Sequence, residues 1–402
     1  MLALSVHAGY ACRHSGACCT AGWPIPVETE VARRISDDRH LPQIESGPPD
    51  PGGPPGPSGP SDPAAPAGVA GVIQPGPDGR CPFFGRDRDR LCAIQRRFGH
   101  EGLPATCRHF PRVTLLEPDA VRVTLSHFCP TAAWMLFRED IGPLRAVPDA
   151  LGIADRGEYE GFDARETIPP LLRPGTVTDT ETCRAWEAFQ IDTLNEDGLD
   201  PESALAHIAL AADHVRDWDS RSSSLAKHAA LVFAHVQGPD PPMVRRDRGA
   251  SRWRMPPAHA ARLFEMAARS VPAGLPRPAV PANLEAADRE GVQPGWAALS
   301  RPVRRYLAAK AFGAWSAYLG DGLRSQAASL AVALAVLRVE AARQAAQASR
   351  PLDAPLLHAA IRSADLLLQH LSNGGALARS LAGVERVASA AMMPALGLEP
   401  AS

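Results

Sequence analysis

CRHFPRVTLLEPDAVRVTLSHFC, residues 107–129, decides how the chain is read. Val113 and Leu115, then Val121, Val123 and Leu125, alternate with their neighbours around a Glu-Pro-Asp-Ala turn, the period-two pattern of a β-hairpin over Arg112–Glu117 and Ala120–Ser126. Cys107 precedes the first strand and Cys129 follows the second, so antiparallel pairing carries both thiols to the same end.

Seven of the eight cysteines lie within the first 129 residues: Cys12, Cys18, Cys19, Cys81, Cys92, Cys107 and Cys129. Cys183 stands alone in a predicted helix. Cys81 and Cys92 bracket a loop in which Gly85 and the charged run Arg86–Arg90 suggest a turn. The N-terminus lacks a basic stretch followed by an apolar one, so it does not read as a secretory signal and the chain is expected in the cytoplasm. There thiols stay reduced, and a crowded set points to a metal site, ahead of redox-active thiols or unrelated buried cysteines.

Cys18 and Cys19 are adjacent, and neighbouring side chains are expected to diverge, which poorly suits two corners of one tetrahedral zinc site. An iron–sulfur cluster with four scattered thiolates tolerates the pattern better, and no Cys-x-x-Cys knuckle is present. Arg13, His14, Arg108, His109, Arg112 and His127 flank the cysteines, where positive charge favours thiolates. His14, His109 and His127 are alternative ligands, with hydrogen bonding as the default role. Trp23, Phe83, Phe84, Phe110 and Trp134 read as core, or alternatively as a cation-binding wall.

Between Ser46 and Arg80, 20 of 35 residues are Pro or Gly without a strict glycine period, which reads as a disordered or polyproline-like insertion within one domain. Beyond Pro143 the spacing turns to threes and fours. It predicts helices over Thr180–Glu196, Pro201–Trp218, Ser222–Val236, Pro257–Ser270, Pro302–Gly320, Leu323–Ala348, Ala354–Ser372 and Gly375–Met392. The expected fold is mostly α: a cysteine-cluster metal-binding domain over 1–140, with a β-hairpin and the insertion at 46–80, then an all-helical region over 141–402. Forty-two basic residues against 44 acidic ones leave no global field for nucleic acid, and the most apolar segment, Ala327–Leu337, is too short to span a bilayer. Only Lys227 and Lys310 are lysines, which reads as coding bias.

The blocks ACRHSGACCTAGWPIPVE, DRLCAIQRRFGHEGLPATCRHFPR and VTLSHFCPTAAWML resemble the cysteine domain of flagellin lysine-N-methylase (FliB-type) proteins, within the wider YkgJ-type zinc- or iron-chelating cysteine-cluster group. The matching features are Cys-Cys before Gly22-Trp23 and Ile25, Leu91-Cys92-x-Ile94, Thr106-Cys107-Arg108 before Phe110-Pro111-Arg112, and Leu125-Ser126 before Cys129-Pro130. One thiol that the family places shortly before the Cys-Cys pair is missing. The resemblance implies an iron–sulfur cluster of the 4Fe-4S type, or zinc, and methyl transfer from S-adenosylmethionine to lysine ε-amines of a protein, flagellin being the family substrate. A glycine-rich nucleotide loop in strand-turn-helix context is absent, so methyl transfer would use another scaffold. The alternatives are a non-catalytic metal-stapled binding module and a redox protein.

Overall fold

The computed structural model describes residues 1–46, 69–85, 90–148, 161–238, 253–384 and 399–400. Leu2–Leu4 (β1) begins a mixed sheet, followed in the chain by Ile25–Glu28 (β2), Glu45–Ser46 (β3), Val69–Ile73 (β4), Arg112–Leu116 (β5), Val121–Leu125 (β6), Ala146–Pro148 (β7) and Phe162–Asp163 (β8). The five-stranded sheet runs β7-β1-β6-β5-β8, and the expected hairpin β5–β6 pairs Arg112 with Leu125 through Leu116 with Val121. β1 lies parallel to β6, and β8 parallel to β5. A second, three-stranded sheet runs β2-β4-β3.

Two expectations change here. The region after residue 140 is not all-helical, because β7, β8 and a short ribbon of Leu171–Arg173 and Thr176–Val177 precede the first long helix. Strands of two or three residues carry no readable period and are decided by the sheet edge they join. The Pro/Gly-rich insertion is also shorter than 46–80: residues 47–68 lie outside the described residues, but Val69–Ile73 is the central strand of the small sheet. Its Val and Ile residues suit a pleated, half-buried surface.

Four of the long helices begin where the sequence supplies a side-chain cap. Thr29–Ser36 (α1), Ala93–Phe98 (α2), Ala105–His109 (α3) and Pro130–Met135 (α4) are short pieces of the cysteine-bearing half that the spacing did not reveal. The long helices are Thr180–Asn195 (α5), Pro201–Arg216 (α6), Leu225–Val236 (α7), Pro257–Arg269 (α8), Ser300–Ala311 (α9), Leu323–Ala348 (α10), Ala354–Asp365 (α11) and Gly374–Val384 (α12). Asp179, Asp200, Ser224 and Asp353 each accept a backbone N–H two or three residues into α5, α6, α7 and α11, satisfying donors that the first turn leaves free. The helix expected over Pro302–Gly320 stops at Ala311, where Gly313 takes φ +62°, and a short turn, Ser316–Leu319, follows. The far part of the last expected helix, 385–392, lies outside the described residues.

α10 is the axis of the main core and packs against α8, α6 and α11. It is long and apolar enough by composition to cross a membrane, but 89% of its apolar window is buried inside the fold. The core around it also takes Leu4, Val6, Ala133, Leu136 and Leu144, so residues on both sides of position 140 share it. A smaller core of Trp23, Ile25, Val27, Ile35, Ile73, Phe83 and Ile94 supports the cysteine loops, with Cys81, Cys92 and Cys107 packed on its edge.

Candidate functional site

Each cysteine loop is positioned by a specific local constraint. Gly16 has φ +73°, and a Cβ there would fall 2.6 Å from the Phe84 ring, so glycine lets the segment between Cys12 and Cys18 lie against Phe84. Cys18 and Cys19 occupy a single 3₁₀ turn, Cys18–Thr20. The Cys81 N–H donates to the Cys19 carbonyl at 2.8 Å, tying that turn to the next loop. Cys92 caps α2 and Cys107 lies in α3, whose first N–H, from Ala105, donates to Glu28 Oε1 at 2.9 Å.

The thiols fall into two groups. Cys19 and Cys107 each interact electrostatically with Cys18, Cys81 and Cys92, and Cys81 with Cys92, so these five face a common region. Cys12 and Cys129 gather instead around Tyr10, whose hydroxyl lies 3.5 Å from Cys129 Sγ, and Cys18 links the two groups. The hairpin thus carries Cys107 and Cys129 to its same end but into different surroundings. Cys183 is apart from both groups, hydrogen-bonded to Thr178. Among the described residues, no group of three or more His, Cys, Asp or Glu side chains stands at metal-binding spacing.

The adjacent pair differs from expectation. Cys18 and Cys19 Sγ lie 3.8 Å apart, because successive residues of a 3₁₀ turn do not point to opposite sides as they do in a strand. Two thiolates on one tetrahedral ion with bonds of ~2.3 Å stand about 3.8 Å apart. The basic neighbours also act differently from expectation. Burial is the largest influence on Cys12, Cys81, Cys92 and Cys107 and pushes each thiol up, Cys81 to about 12. Arg108 spends its guanidinium on the carbonyls of Glu101 and Leu103. His109 is pushed down to about 4 by burial and then by Arg112 and Arg108.

His127 takes the hydrogen-bonding role, inside a buried polar seam that joins the hairpin to the C-terminal helices. Its Nε2 lies 3.2 Å from His7 Nε2, and its backbone N–H donates to Asp365 Oδ2 at 2.5 Å. Asp365 also accepts from Tyr306 OH at 2.9 Å and pairs with Lys310. Burial alone would raise the Asp365 carboxyl, but Lys310 and His127 hold it well below the usual carboxylate range. Beside this, Ser126 Oγ bonds His370 Nε2 at 2.6 Å, and His370 packs at a tilt against Trp23 with ring centroids 4.5 Å apart. Trp23, Phe83 and Phe110 therefore serve as packing groups, while Trp134 is 45% exposed and stacks on His358. Asp365, Tyr306 and His370 carry no sequence signal, belonging to no motif or spacing that marks them out; Lys310 was visible only as a rare lysine.

Fold and site together define a mostly α-helical protein in which a thiol-rich module and a mixed sheet pack on a helical core. No family model matches the chain, and no solved structure matches it. Among curated proteins, 82 residues, 20% of the chain, are 32% identical to lysine-N-methylase of Salmonella typhimurium LT2, with the same figures for that of Salmonella choleraesuis. Over 85 residues, 21% of the chain, it is 31% identical to flagellar biosynthetic protein FliU of Salmonella muenchen. These matches span 18% of either methylase and 44% of FliU, so the chain matches less than half the length of each. The relationship is distant and local.

Proposed function

We propose that the chain is a lysine N-methyltransferase-like protein, moving methyl from S-adenosylmethionine to lysine ε-amines of a protein, and that Cys18, Cys19, Cys81, Cys92 and Cys107 supply the ligands of an iron–sulfur or zinc centre. The observation that carries the activity is the 82-residue similarity to two lysine-N-methylases. FliU is by its name a flagellar biosynthetic protein, which supports a flagellar protein such as flagellin as the acceptor.

Thiols are the donor type that an iron–sulfur cluster or a structural zinc takes, although among the described residues they do not stand at metal-binding spacing. Five neighbouring thiols exceed the four that a cluster or a structural zinc takes, and burial raises Cys81, Cys92 and Cys107. A metal bound there supplies charge compensation for the thiolates and a cross-link between loops that are far apart in sequence. In the transfer, the amine lone pair forms the N–C bond as the S–C bond breaks and S-adenosylhomocysteine leaves. The ammonium proton must go to a base or to solvent beforehand.

A second reading, a metal-stapled module without catalysis, is favoured by the small core on which Cys81, Cys92 and Cys107 pack. Iron, zinc and sulfide analysis of anaerobically purified protein, together with methyl labelling of flagellin from S-adenosylmethionine, separates the two. Labelling on lysine supports the enzyme. Stoichiometric metal without cofactor binding or labelling removes the methyl-transfer reading and leaves the staple.

A further inference from the structure

The turn of the β5–β6 hairpin, at the opposite end from Cys107 and Cys129, closes over a cavity of about 100 Å³. Its floor is a charge imbalance. Arg122 donates to Glu117 Oε2 at 2.5 Å and to Glu187 Oε1 at 3.0 Å, so one guanidinium serves two carboxylates. Tyr318 OH donates to Glu117 at 2.6 Å and the Gly313 N–H to Glu187 at 2.9 Å, and neither brings charge. At the rim Asp119 and Arg184 pair and cancel each other.

These side chains are largely out of water: Arg122 is 8% exposed, and Glu117 and Glu187 are each 16% exposed. An excess negative charge placed there is costly unless a proton or a cation answers it. The walls are apolar, with Pro169, Pro170, Ala314 and Leu323 facing the space. That volume admits a short unbranched chain and not a bulky ligand. An anion finds the guanidinium already spent, and a bare metal ion gains nothing from the apolar walls.

We propose that this cavity binds a protonated primary alkylamine, with its ammonium on Glu117 and Glu187 and its methylenes along the proline-rich wall. The assignment stands apart from the thiols and does not depend on methyl transfer. The amine is either a free small molecule or a lysine side chain of a protein, and the recognising chemistry is the same.

The test is titration calorimetry on the full chain at pH 7 with n-butylammonium chloride, Nα-acetyl-lysine methylamide, n-butanol and potassium chloride. Butylammonium is expected to bind while butanol and potassium do not, and Glu187→Gln is expected to weaken binding at least tenfold. Glu117→Gln, which keeps an acceptor for Tyr318, gives the same readout should Glu187→Gln fail to fold. Binding of the lysine amide as well supports a side chain as ligand, whereas butylammonium alone supports a free amine. The proposal is overturned if wild-type protein binds no butylammonium, if butanol or potassium binds equally well, or if a folded charge-removing variant binds with wild-type affinity.

Discussion

Asp365→Asn tests whether the buried seam between hairpin and helices is held by charge. In the wild type the carboxylate is fully buried and meets only donors: Lys310, the Tyr306 hydroxyl and the His127 backbone N–H. The amide keeps the shape but removes the negative charge, and its NH₂ faces donors. Lys310, whose side chain is 17% exposed, is then left without its counterion. Breaking a buried pair in this way costs about 3–5 kcal/mol. At roughly 2 °C per kcal/mol, as for large chains, the melting temperature should fall by about 6–10 °C. Differential scanning calorimetry at pH 7 measures this, and 0.5 M salt should change the difference little because the pair is shielded from solvent. The double variant Asp365→Asn/Lys310→Met should regain a substantial part of the loss, since it removes the orphaned charge. A fall of less than about 2 °C, or a double variant no better than the single, would refute the reasoning.

Cys92→Ser and Cys107→Ser are each expected to abolish retention of iron or zinc while Cys183→Ser keeps it; normal metal content in the first two removes the proposed site. Deleting 47–68 should leave the thermal transition in place, whereas deleting 47–79 removes β4 and should lower it sharply, as calorimetry will show. His7, His127 and His370 are fully buried and burial pushes each below its ordinary value, His370 to about 3. Below pH 6.5 the unfolded chain takes protons that the folded one does not, so each costs up to ~1.4 kcal/mol per pH unit as pH falls toward the folded value. Urea midpoints should be flat between pH 7 and 8 and decline below 6.5, and a constant midpoint down to pH 5 contradicts this.

The hairpin and the long helices were legible because a repeated period over many residues, as in Leu323–Ala348, survives tertiary context. Short elements were not. β4 hid behind a proline-rich stretch, and α1 to α4 span only five to eight residues each. The cysteine positions were readable, but their division into a five-thiol group and a Tyr10-centred pair depends on how the loops fold. The seam at Asp365 was invisible for a related reason: its partners come from positions 7, 126–127, 306, 310 and 370, and no local pattern records such a meeting.

That seam also sets a timetable. Ser126 meets His370 across 244 residues, and His127 meets Asp365 across 238. At ~5–20 residues per second, a ribosome needs roughly 12–50 s to deliver the second half of each contact. For that interval the seven N-terminal cysteines are already made while the helices that lie against Trp23 are not. Any agent that reacts with thiols therefore meets them on the nascent chain before the C-terminal helices pack against Trp23.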